Sequence, residues 1–313
     1  MKIKYWGVRG SVPSPSSNDF KTEKYGGNTS CVEITTNSKD NYVLDAGTGI
    51  RLLGVEMMER KDVGAQKAKI LLSHVHWDHI QGFPFFSPAF IKGNEFKLYG
   101  EKKNTKFKTE EGDTIDYKKS LEDTLRGQQQ YPNFPVTLEQ MASKMDFYDL
   151  EEGKTIENGV IISYIRLNHP NGVFSYKLEE GGKKLIYATD TEHDPETNAN
   201  QEIGIESKKV VDWAKDANIL IYDGQYTPEE YNPQEFGKKG MPKIKWGHST
   251  YTKGIDIALK ANVKQLVLFH HDPLHDDKKL DEINEKAQEY LRKRDNKSEL
   301  KVMLAYEGLK QTL

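Results

Sequence analysis

The sequence has a single cysteine, Cys31, in 313 residues. An internal disulfide framework is therefore excluded, and packing, hydrogen bonds or a bound group must hold the fold. No apolar run approaches the roughly 20 residues that span a bilayer, so a membrane role has no support. The opening stretch MKIKYWGVRG lacks the apolar centre of a secretory signal, and a cytoplasmic location is expected. Excess charge is also missing: 45 lysines and arginines face 48 aspartates and glutamates, a net charge of −3. Such a balance argues against a broad basic surface for long nucleic acid, although a local patch is compatible with it. No repeat, low-complexity tract, Walker loop or dinucleotide fingerprint is present. What is there, 36% hydrophobic and 30% charged with 25 glycines and 12 prolines spread out, is the composition of a folded chain.

Short runs rich in β-branched and aromatic residues read as strands at 42–47, 68–74, 160–169, 172–178, 183–190, 217–224, 264–272 and 299–308. Helical periodicity follows in 207–217, 251–262 and the charged 277–294. Strands leading and helices following predict a layered α/β sandwich, and we expect one domain over 1–313. Residues 101–150 differ, being polar and charge-rich with QQQYPNFPV inside. They have too few apolar residues for a core of their own and read as an insertion or cap.

The nine histidines are the most informative feature. His74, His76 and His79 lie in HVHWDH, His169 in LNHP, His248 in WGHST, and His270 and His271 in LFHHDP. Each group sits at or past the end of an expected strand or at a helix start, where layered α/β folds assemble sites. Neutral imidazoles and carboxylates suit zinc and similar divalent ions. His74 and His76, on alternate residues, can point the same way from an extended chain, while Asp78 and His79 turn toward a second position. One loop can thus feed two adjacent metals if distant segments supply the rest. For His193, His271 and His275 taken singly, a hydrogen-bonded structural role is the better reading. Asp190 in YATDTE reads equally well as a turn cap.

HVHWDH has the HxHxDH form of the metallo-β-lactamase-fold hydrolases, and the chain resembles them over nearly its whole length. GVRGSVPSP, YGGNTSCVEI, LDAGTGIRLLG and WGHSTYTKGIDIALKANVKQLVLFHHDP resemble the ribonuclease Z-like branch, which includes tRNA 3′-processing ribonucleases and small cyclic-nucleotide phosphodiesterases. The resemblance implies an α/β fold, an αββα four-layer sandwich with an inserted segment near 101–150. It implies two divalent metal ions, zinc first and manganese as the other candidate. His74, His76 and His169 would bind one metal and Asp78, His79 and His270 the other, with Asp190 bridging. His270 is preferred to His271 because LVLFH fits the family's strand-then-ligand order, and neighbours on a strand face opposite ways. Asp78 and His248 would be the catalytic residues, with His248 protonating the leaving oxygen. Asp45 would support the pocket floor, and a homodimer is expected by the same resemblance.

Two divalent ions about 3.5 to 4 Å apart lower the pKa of a shared water and offset charge on reacting oxygens, which suits phosphodiester hydrolysis by a metal-activated hydroxide. The leading expectation is a phosphodiesterase for small nucleotide diesters, 3′,5′-cyclic nucleotides first. The slightly negative charge and the absence of a long glycine- and proline-rich tRNA-gripping arm favour it. So does the aromatic stretch GFPFF: Phe83, Phe85 and Phe86 are candidates for stacking a base, worth about 1–3 kcal/mol, against plain core packing. A tRNA 3′-processing endoribonuclease acting on RNA is the first alternative, and an electropositive groove would mark it. A lactone or thioester hydrolase, which needs no leaving-group histidine, is the second. A metal-free binding protein is the non-enzyme alternative, and the complete ligand set speaks against it.

Overall fold

The structure is a computed structural model that describes residues 1–60, 65–193 and 204–313. Its first strands are β1 (Lys2–Gly7), β2 (Cys31–Thr35), β3 (Asn41–Leu44), β4 (Lys67–Leu71), β5 (Glu95–Glu101), β6 (Lys103–Lys108), β7 (Thr114–Lys119) and β8 (Lys144–Leu150). They are followed by β9 (Gly153–Glu157), β10 (Val160–Leu167), β11 (Val173–Glu180), β12 (Lys183–Ala188), β13 (Ile219–Asp223), β14 (Gln265–Phe269), β15 (Lys301–Leu304) and β16 (Lys310–Thr312). The helices are α1 (Gly49–Glu59), α2 (Trp77–Ile80), α3 (Leu121–Gln128), α4 (Ile205–Ala214), α5 (Pro228–Tyr231), α6 (Tyr251–Lys260) and α7 (Asp277–Arg294).

The strands form two seven-stranded sheets, ordered β16-β1-β2-β3-β4-β5-β8 and β15-β14-β13-β12-β11-β10-β9, with β6 and β7 as a separate hairpin. Side-chain alternation turns these sheets into four layers. Ile219 and Ile221 of β13 point between the sheets, while Leu220 and Tyr222 point outward. In β14, Val267 and Phe269 face in, and Leu266 and Leu268 face out. Strands buried on both faces read as continuous apolar runs, as ILIYD and QLVLF do. Helices α4, α6 and α7 bury their apolar sides on the outer face of the second sheet, and α1 and α3 cover the first. The architecture is the αββα sandwich that the resemblance implies.

Each covering helix has its own local cause. Helix α7 starts at Asp276, whose side chain accepts from Lys279 N at 2.8 Å, and ends in Arg292, Lys293 and Arg294. A capping oxygen at the start and cations at the end both favour a helix. Helix α3 carries a capping box between Ser120 and Asp123 and buries Leu121 and Leu125.

The 101–150 stretch is more integrated than its polarity suggests. Its start falls on the last residue of β5, and its last seven residues are β8, which pairs with β5 in parallel register from Glu95–Lys144 to Glu101–Leu150. Only the β6–β7 hairpin stands apart from both sheets. Among the described residues, no helix is long and apolar enough to cross a membrane.

Strands β3, β4, β5 and β8 run parallel in one sheet and β12 to β15 in the other. Their carboxyl ends open on one edge of the sandwich, where side chains from different strands can meet.

Candidate metal centre

The chain leaves β4 through Ser73 and reaches HVHWDH, in which Trp77–Ile80 closes as one helical turn, α2. The extended half carries His74 and His76, and the helical half carries Asp78 and His79. His169 follows β10, Asp190 follows β12 and His270 follows β14. Asp190 and His270 both have left-handed backbone, φ 50° and 61°, as does Asp45 after β3, φ 61°. Non-glycine residues hold that conformation at a cost of about 1–3 kcal/mol, and they cluster at functional sites.

These turns bring together the two sets that the resemblance implies. Ligand-type atoms of His74, His76 and His169 lie within 4.8 Å of one another, and so do those of Asp78, His79, Asp190 and His270. Asp190 stands between the sets. Its Oδ1 is 3.3 Å from both His79 Nε2 and His270 Nε2, and its Oδ2 is 3.7 Å from His74 Nε2 and 3.9 Å from His169 Nε2.

The outer hydrogen bonds decide which ring nitrogen faces inward. His169 Nδ1 is 2.9 Å from Gly247 O, a carbonyl that only accepts, so the proton is on Nδ1 and Nε2 presents a lone pair. His79 Nδ1 donates to Asp45 Oδ2 at 2.7 Å. His270 Nδ1 donates to Gln225 Oε1 at 3.0 Å, because the Gln225 amide nitrogen donates to Tyr226 Oη. His74 Nδ1 meets Ser73 Oγ, whose proton goes to Asp45 Oδ2 at 2.8 Å. Four rings thus turn their Nε2 atoms toward the centre, where those of His270 and His79 lie 3.0 Å and 3.1 Å from Asp78 Oδ2. His74 Nε2 is buried with no hydrogen-bond partner, and His79 Nε2 and His270 Nε2 face each other at 3.3 Å. Buried polar atoms rarely lack a partner, so the unpaired His74 Nε2 marks a place for one. The donor set fits divalent cations held by nitrogen and oxygen.

A second layer fixes these rings. Asp45 also accepts from Ser73 N at 2.6 Å and Tyr187 Oη at 2.7 Å, so the carboxylate behind His79 is fully engaged. Ser11 N donates to Asp78 Oδ2 at 2.8 Å. Gly10 lies so close to His270 that a Cβ there would come within 2.3 Å of the imidazole. Of the histidine doublet, His270 joins the group, while His271 donates to Ala305 O at 2.8 Å on the other side of the chain. His193 bonds Tyr222 Oη, and His275 meets Glu230 Oε1 at 3.1 Å. Residues that the local sequence did not reveal are Asp223, Glu192 and Gln225, which arrive from separate segments without a motif of their own.

Residues 40–271 match the family described as the β-lactamase superfamily domain, nearly three quarters of the chain. The chain belongs to that family. It is similar to the ribonuclease Z of Oceanobacillus iheyensis, 23% identical over an alignment that covers 92% of this chain and 94% of the relative. Among solved structures it resembles a diphosphatase from the PhnP family, with 16% identity and a TM-score of 0.63 over 100% of this chain and 97% of that one. It also resembles the short form of human tRNase Z, with 15% identity and a TM-score of 0.59 over 100% and 99% of the two chains. These two likenesses concern the fold. As a member of the β-lactamase superfamily, the protein is a metal-dependent hydrolase.

Charge is divided unevenly over the centre of this superfamily member. Burial holds His74, His76 and His169 below the usual imidazole range, His169 down to about 4. Burial also opposes a charge on His79, but Asp78, Asp190 and Asp45 overcome it and push the imidazole well up. His248 is placed beside the centre by the turn after Gly247, with Nδ1 3.0 Å from Asp223 Oδ2 and 3.9 Å from Asp190 Oδ2. Burial works against its charged form, yet Asp223 and then Asp190 raise it to about 9.

The mouth of the site is a cavity of about 380 Å³ lined by residues that include Ser11, His76, Trp77, Asp78, Asp190 and His248. The aromatic expectation needs correction here. Phe83 and Phe86 are 1% and 0% exposed in the apolar layer outside the first sheet, where Phe86 meets Phe96, so neither has a face to offer a base. The Gly82 turn that follows α2 drives this run inward as a 3-10 turn. Phe85 is exposed, and its ring lies edge-on to Phe134 from the 101–150 stretch. The aromatic at the mouth is instead Trp77, 64% exposed inside the histidine motif itself.

Proposed function

We propose that the protein is a dinuclear-metal phosphodiesterase that hydrolyses small nucleotide phosphodiesters, with 3′,5′-cyclic nucleotides as the leading substrates. His74, His76 and His169 would hold one ion and Asp78, His79 and His270 the other, with Asp190 shared between them. Zinc suits this nitrogen and oxygen set, and manganese is the alternative. Such ions, when bound, lower the pKa of a water and offset charge on a phosphate.

The observation that carries the reading is the placement of His248 beside Asp190 with Asp223 behind it. Phosphodiester cleavage releases an alkoxide, which needs a proton as it departs. A histidine whose Nδ1 is held by a carboxylate keeps its other nitrogen available for that transfer. Lactone and thioester hydrolysis have less use for such a pair. The mouth, about 380 Å³, falls within the roughly 300–1,000 Å³ typical of small-ligand sites. Trp77 offers an exposed face at its rim for a base.

A second reading, hydrolysis of RNA, is favoured by one feature. Lys238, Lys239, Lys243 and Lys245 occur with no carboxylate between Phe236 and Gly247, and the exposed Trp246 carries Lys243 Nζ 4.0 Å from its ring centroid. Cations that neutralise phosphates and an aromatic face that stacks bases are what a single strand uses. The relative named ribonuclease Z agrees with this reading. The test is a panel of cAMP, cGMP, cyclic pyrimidine nucleotides, 2′,3′-cyclic nucleotides, linear dinucleotides, precursor tRNA and a lactone, each with and without zinc or manganese. Turnover of the cyclic nucleotides is expected. Turnover of precursor tRNA alone would replace the first reading by the second.

A further inference from the structure

We infer that Glu192 is a positioning residue that sets the place of His248 for proton transfer to the leaving group. This rests on the phosphodiesterase reading above. Glu192 lies two residues beyond Asp190 and is 6% exposed. Its Oε1 accepts from Tyr231 Oη at 2.6 Å and from Lys245 N at 2.6 Å, and its Oε2 accepts from Gly247 N at 2.8 Å. Its main chain is bound as well: Glu192 N donates to Asn168 O at 2.9 Å, and Asn168 Nδ2 donates to Glu192 O at 3.1 Å. One residue therefore joins the turn that bears Asp190, the turn that bears His169 and the loop that bears His248.

The loop is shaped to receive a carboxylate. Lys245 and Gly247 both have left-handed backbone, φ 69° and 88°, and their N–H groups converge on Glu192. Successive amides in such a turn form a concavity for an anion, which here is a side chain of the protein itself. Gly247 admits no side chain, because a Cβ would lie 2.0 Å from His169 Nδ1. The residue after Gly247 is His248, so the Glu192 anchorage decides where its Cα stands. Asp223 then fixes the rotation of the ring. The two carboxylates thus act on different degrees of freedom, Asp223 on the orientation of the imidazole and Glu192 on the position of the backbone that carries it.

A positioning role differs from a structural one in what it does to different leaving groups. An alkoxide needs the proton from His248, whereas p-nitrophenolate departs without one. Glu192→Gln preserves size but sets an amide nitrogen against a backbone N–H. On a cyclic nucleotide it is expected to lower kcat on the order of 10²-fold, the effect of a misplacement near 1 Å, with KM and metal content unchanged. On a p-nitrophenyl phosphodiester the loss should be far smaller. In a His248→Ala background Glu192→Gln should cost nothing further, because two residues that act through one group are not additive. Tyr231→Phe, which removes one donor to Glu192, should give a weaker form of the same leaving-group dependence and provides the test if Glu192→Gln folds poorly.

Equal losses on the two diesters, additivity with His248→Ala, or loss of metal from a folded variant would overturn the inference. If the unaltered protein turns over neither diester, the phosphodiesterase reading itself fails. If it turns over both and the variants lose equally on each, that reading stands and only the role of Glu192 falls.

Discussion

The His248 ring lies over the His270 ring, 5.0 Å between centroids at an interplanar angle of 21°, while its Nδ1 reaches Asp223. A group that stacks on a ligand-type histidine and hydrogen-bonds away from it is placed to act on a substrate at the centre. His248→Ala is expected to lower kcat/KM on cyclic nucleotides by about 10²- to 10⁴-fold, the usual worth of general acid catalysis. Metal content should not change. Asp223→Asn should cost less than His248→Ala, and steady-state kinetics on the two variants checks the order.

The purified protein should carry about two divalent ions per chain, the number at which the reaction is bimetallic. Asp190→Ala should bind fewer and lose activity, because both sets of histidines face that one carboxylate. Elemental analysis after exhaustive dialysis checks this, and full metal and activity in the variant would refute the bridging assignment.

Asp45 never faces the centre, yet it accepts from His79, Ser73 and Tyr187 together. Asp45→Asn should weaken metal affinity by about 10- to 100-fold, the typical consequence of changing the partner of a ligating histidine. Competition with a chromophoric chelator measures it.

The aromatics divide into two classes with opposite expectations. Trp77→Ala should raise KM for a nucleotide by the equivalent of about 1–3 kcal/mol and leave stability nearly intact. Phe83→Ala should lose about 3–5 kcal/mol of stability by emptying the core, with no change in preference among substrates. Urea unfolding and a substrate panel on the same two variants separate these effects.

Burial holds the His193 imidazole down to about 3, well below the 6.5 of an exposed histidine. Between those values the unfolded chain binds a proton that the folded chain refuses. The stabilising contribution of a neutral His193 is therefore complete above pH 6.5 and declines as pH falls through that window. His193→Gln should show a shallower loss of stability between pH 7 and pH 5 than the unaltered protein, measured by urea unfolding at each pH.

Much of this architecture is legible in the sequence because buried parallel strands leave unbroken apolar runs. The stretches at 217–224 and 264–272 mark β13 and β14 within a few residues. Helix α1 carries no such signal: Thr48 makes no side-chain cap, the helix starts on a glycine, and Gly54 in its middle, tight against Pro88 and Phe86, lowers its helix propensity. β8 leaves no clear pattern because its pairing partner is 49 residues away in register and its exposed side is polar. The ligand-type residues stand out because one loop holds four of them. Asp223, Glu192 and Gln225 do not, since each acts through a contact with a distant segment that no local pattern records. The fate of the phenylalanines turns on the Gly82 turn, which sends Phe83 and Phe86 into the core and leaves Trp77 at the mouth.

His74, His76, Asp78 and His79 hang from the first sheet, and His169, Asp190 and His270 from the second. Each prospective ion would therefore be held from both halves of the sandwich. Bound metal would act as a clasp at the open edge, shutting the two sheets together like the covers of a book. Occupancy would stabilise the whole molecule by mass action, since an unfolded chain offers no such convergence. In this arrangement, the chemistry of the centre and the cohesion of the fold would depend on the same few bonds.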